Sequence, residues 1–74
     1  MERIVHVTFG VHVPLDKVAS MVTGLGSCAV VRATDDSQRD YVVTVQRPSA
    51  MAHVERRLAE WEKYGFLTWQ VAAP

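Results

Sequence analysis

Three histidines, one cysteine and a cluster of aspartates are the side chains of this sequence with the most reactive chemistry. A metal ion needs imidazoles or carboxylates that converge on one point. His6 and His12 are six residues apart, which along one extended strand is about 20 Å. His53 falls in a different segment, and no His-x-x-x-His helical pair exists. No metal is expected. Cys28 follows the glycine-rich run Gly24-Leu25-Gly26-Ser27, but no nearby residue supplies a base to make its thiolate. A lone cysteine of this kind reads as a small buried hydrophobe. Asp35, Asp36 and Asp40 lack the spacing of a calcium loop and read as a solvated turn. The glycine-rich run lacks the Gly-Lys-Ser/Thr ending of a phosphate loop, and it closes a helix where a phosphate loop would open one. Backbone N–H groups near Gly10-Val11-His12-Val13-Pro14 could face a small anion, although Pro14 removes one donor. Neither catalysis nor a cofactor is expected.

Arg32, Arg39, Arg47, Arg56 and Arg57 raise the question of nucleic acid. The 8 basic and 8 acidic side chains cancel to a formal net charge of zero, whereas phosphate-tracking surfaces carry a basic excess. A membrane partner is also not expected, because no apolar run approaches the length of a membrane helix. One cysteine rules out an intrachain disulfide framework. The start of the chain has no basic segment leading into an apolar one with a small-residue cleavage site, so a cytoplasmic protein is expected.

The elements that must position these side chains are legible from periodicity. In Arg3–Val11, Val5, Val7, Phe9 and Val11 alternate with Ile4, His6, Thr8 and Gly10, the pattern of a half-buried strand. Pro14 suits the first position of a helix, and Leu15, Val18, Val22 and Leu25 fall on one helical stripe. Gly24 and Gly26 offer a stop. A second strand lies within residues 27–34. Its facing is open because Val30 and Val31 are adjacent, so Cys28 and Arg32 could point either way. A polar turn from Thr34 to Asp40 leads to a third strand, Tyr41–Gln46. Ser49 is the expected N-cap of a second helix with the stripe Met51, Val54, Leu58 and Trp61, stopped at Gly65. Phe66–Val71 alternates again as a fourth strand, and Ala72, Ala73 and Pro74 are expected to fray.

This β-α-β-β-α-β order spans residues 1–74 as one domain and resembles the ferredoxin-like α+β sandwich: an antiparallel four-stranded sheet, order 4-1-3-2, with two helices on one face. The covered face would hold Val5, Val7, Phe9, Val43, Val45, Leu67, Trp69 and Val71. The bare face would hold Ile4, His6, Thr8, Val42, Thr44, Gln46, Phe66, Thr68 and Gln70. Base stacking on such a sheet needs aromatics at strand centres. The bare positions there are His6, Thr8, Val42 and Thr44, and Tyr41 has the opposite parity. Nucleic acid is therefore not an expected partner.

Within that superfold the chain is similar to ACT-type regulatory domains in length, element order and a glycine-containing turn after the first strand. That resemblance implies dimerisation and a small ligand at the turn. Heavy-metal-associated domains need paired cysteines after the first strand, and acylphosphatases need an asparagine; this chain has neither. Dimeric α/β-barrel enzymes also pair sheet faces, but no acid–base set converges here. The expectation is a small non-catalytic interaction or regulatory protein that acts by stoichiometric contact, of the accessory or inhibitor kind found in phages and mobile elements. It would meet a protein partner or itself, as a homodimer, through His6, Thr8, Val42, Thr44, Gln46, Phe66, Thr68 and Gln70. An ACT-like ligand sensor is the second reading, and a small α/β-barrel enzyme the third.

Overall fold

The alternating strands of the sequence pair with one another in the computed structural model of the chain, which describes residues 2–72. β1 (Arg3–Phe9) lies antiparallel to β3 (Asp40–Val45), with Val5 opposite Val43 and His6 opposite Val42. On its other side β1 pairs with β4 (Leu67–Val71), and β2 (Val30–Ala33) pairs with β3. The sheet order is β2-β3-β1-β4, which is the expected 4-1-3-2 read from the opposite edge. The helices are α1 (Leu15–Leu25), between β1 and β2, and α2 (Pro48–Lys63), between β3 and β4. The whole is a small α+β fold with a four-stranded antiparallel sheet and two helices.

Both helices contribute to one apolar cluster. Val18, Met21 and Leu25 of α1 and Val54 and Leu58 of α2 pack with Val5, Val7, Phe9, Val43, Val45 and Leu67. All of these strand residues have the same parity, so one face of the sheet is covered and the other is not. No polar or charged residue is fully buried among the described residues. Trp69 and Val71, expected in the core, are half-buried on the edge strand. Trp69 Nε1 is buried with no hydrogen-bond partner.

Several boundaries differ from the expectation. β1 stops at Phe9: the Gly10 N–H still donates to Phe66 O (2.9 Å) in register with the β1–β4 ladder, and the Val13 N–H then closes a turn on Gly10 O (3.1 Å). Val11 is thereby left 86% exposed. Val13, absent from the expected core, is buried, whereas Leu15, expected on the buried helical stripe, is 44% exposed. On α1, Met21 faces the sheet and Val22 only flanks it. α2 begins two residues earlier than an N-cap at Ser49 implies: Arg47 is the N-cap and Pro48 takes the first helical position, where its fixed φ is preorganised. α1 runs through Gly24 and is capped by Gly26 in a right-handed conformation. Gly65, with φ of +79°, makes the turn into β4. Ala72 is not frayed, since its N–H donates to Ile4 O at 2.8 Å. Ala73 and Pro74 lie outside the described residues.

Candidate functional site: the uncovered sheet face

Register arranges the uncovered face into three rungs across the four strands. The first carries Val30, Thr44 and Ile4, extended by Ala72 through its bond to Ile4 O. The second carries Arg32, Val42, His6 and Gln70. The third carries Asp40, Thr8 and Thr68, extended by Thr34, whose N–H donates to Asp40 O at 3.0 Å. One end of the face is thus aliphatic, the middle is mixed, and the far end is hydroxylated and acidic. Ile4 is 40% and Val30 54% exposed, while the central-strand residues Val42, Thr44 and Asp40 are half-buried by their neighbours. Thr8 Oγ1 donates to Asp40 Oδ1 at 2.8 Å. That bond satisfies part of the carboxylate and fixes the polar end.

Six of the eight expected site residues come together here: His6, Thr8, Val42, Thr44, Thr68 and Gln70. Gln46 lies one residue beyond β3, at the sheet's rim. There it helps line a concavity of ≈ 400 Å³ with Ser27, Cys28, Arg47 and Ser49. Phe66 does not belong to the face. It precedes β4 and packs against the core, with Lys17 Nζ of α1 4.3 Å from its ring centroid and Tyr64 beside it. Its parity matched the face, but the Phe66 N–H is drawn back to Trp61 O (3.1 Å), so the alternation begins only at Leu67. Ile4, already expected on the bare face, joins those residues, as do Val30, Arg32 and Asp40. Val30 and Arg32 were hidden by the Val30–Val31 ambiguity, which the pairing of Val31 with Val43 resolves. Asp40 could have been found by extending the 44, 42 alternation one step back.

The other candidate groups occupy separate settings. Cys28 is half-buried outside β2, and its Sγ–H donates to Leu25 O at 3.5 Å. Asp35 Oδ1 accepts from the Ser37 hydroxyl and from the Ser37 N–H, and these bonds hold its carboxyl below the usual aspartate range. Among the described residues no three His, Cys, Asp or Glu side chains gather as a metal-ligand set. No helix among them is long and apolar enough to cross a membrane. Arg39 turns inward: its Nη1 donates to Gly10 O (2.7 Å) and Val13 O (2.8 Å), filling the turn after β1. The exposed imidazole of His12 lies against Gly10 in the same turn, where a Cβ would meet its Cε1 at 2.5 Å.

The chain matches no protein-family model, no curated protein and no solved structure.

Proposed function

We propose that this chain is a ferredoxin-like interaction module that acts by stoichiometric contact with protein through its uncovered sheet face, as a regulatory, accessory or inhibitory subunit without catalysis of its own. The observation that carries this reading is the rung Val30–Thr44–Ile4, whose two aliphatic side chains stand exposed on either side of half-buried Thr44. Apolar side chains aligned on one surface mark contact sites more often than scattered ones do. Their neighbours Arg32, His6 and Gln70 supply the polar surround that gives such a contact specificity. The small-ligand reading has less support, because Arg39 already occupies the carbonyls of the turn where an ACT-like ligand would sit.

Affinity capture from the native host tests the proposal. The wild-type chain should retain a protein, itself or another, in fixed ratio. Ile4→Glu and Thr44→Glu should release it, while Arg57→Glu on the exposed side of α2 should keep it. Circular dichroism establishes that each variant is folded. Retention of the same protein by both sheet-face variants overturns the assignment. A thermal-shift response to amino acids or nucleotides would favour the ligand reading in its place.

A further inference from the structure

We draw no further inference here: the strongest candidate, the concavity of ≈ 400 Å³ between the segment before β2 and the start of α2, lined by Ser27, Cys28, Gln46, Arg47 and Ser49, carries nothing, because it amounts to a helix N-terminus beside a lone cysteine, and among the described residues no buried, unpartnered polar side chain is aimed into it.

Discussion

Arg39 is the residue whose loss should disturb this fold most out of proportion to its place in the sequence. It sits in a polar turn, where surface substitutions ordinarily change stability by less than about 0.5 kcal/mol. Its backbone is tied to the end of β1, because the Phe9 N–H donates to Arg39 O at 2.8 Å. From there the side chain reaches the next loop, and the two protons of Nη1 go to Gly10 O and Val13 O at 2.7 and 2.8 Å. One guanidinium thus bridges two carbonyls, one of which also accepts the Val13 N–H, and clamps the segment that carries buried Val13 into α1. A hydrogen bond from a charged donor contributes about 1.5–3 kcal/mol. These two share one half-buried nitrogen, so about 2–3 kcal/mol for the pair is the reasonable figure.

Arg39→Met keeps most of the apolar stem and removes both donors. A chain of this size has about 4–11 kcal/mol of total stability, and each kcal/mol moves the melting temperature by about 4–8 °C. Calorimetry should therefore show a fall of about 10–20 °C. Arg39→Lys, with an ammonium able to donate to both carbonyls, should recover part of it. The acceptors are neutral, so the loss should change little on raising salt to about 1 M, unlike that of a surface ion pair. Amide exchange at Val13 should accelerate while that at Val43, in the middle of the sheet, follows global unfolding only. An Arg39→Met protein that melts within about 2 °C of wild type, with Val13 still protected, refutes the clamp.

Three further outcomes follow from the same geometry. Leu58 is 0% exposed at the centre of α2's buried face. Leu58→Ala should cost about 3–4 kcal/mol in urea unfolding, a large share of the total. Gly65→Ala should cost about 1 kcal/mol from backbone strain alone, because φ is +79° and no atom lies within 4 Å of an added Cβ; Gly65→Asn should cost less. The Asp35 carboxyl should titrate below the usual value of about 3.9 in carbon-detected NMR, and Ser37→Ala should return it toward that value. Because the folded value is lowered, the turn's stabilisation is complete above the ordinary aspartate range and is lost as pH falls through the lowered value.

Strand pairing and layer order were legible because period-2 alternation on β1 and β3 admits only one facing for Val5, Val7, Val43 and Val45. Where alternation was broken by like neighbours, as at Val30 and Val31, only a partner strand could decide. Phe66 marks the converse failure. Its parity was right, but parity holds only inside a strand, and the turn at Gly65 extends its influence one residue further. Met21 against Val22, and Val13 against Leu15, were beyond reach for a similar reason: adjacent apolar residues leave helix rotation undetermined until the sheet is in place. The clamp by Arg39 was invisible because it joins segments 26 and 29 residues apart and leaves no local pattern.

The uncovered face is a consequence of element count. Neighbouring helices pack about 8–10 Å apart, so two of them side by side cover a layer about 19 Å wide and no more. α1 and α2 are spent on the face that holds Val5, Val7 and Val43, and no third helix exists among the described residues to close the other. Exposure of Ile4 and Val30 is thus imposed by the fold, whereas their chemistry is not: threonine would serve a solvated strand equally well by β-propensity. Replacing both, Ile4→Thr with Val30→Thr, separates the two roles such side chains can have. If they only tolerate solvent, the double variant keeps both its monomer stability and its association behaviour. If they form the seam of an interface, stability measured at low concentration is unchanged, while association weakens and the concentration dependence of the melting temperature disappears.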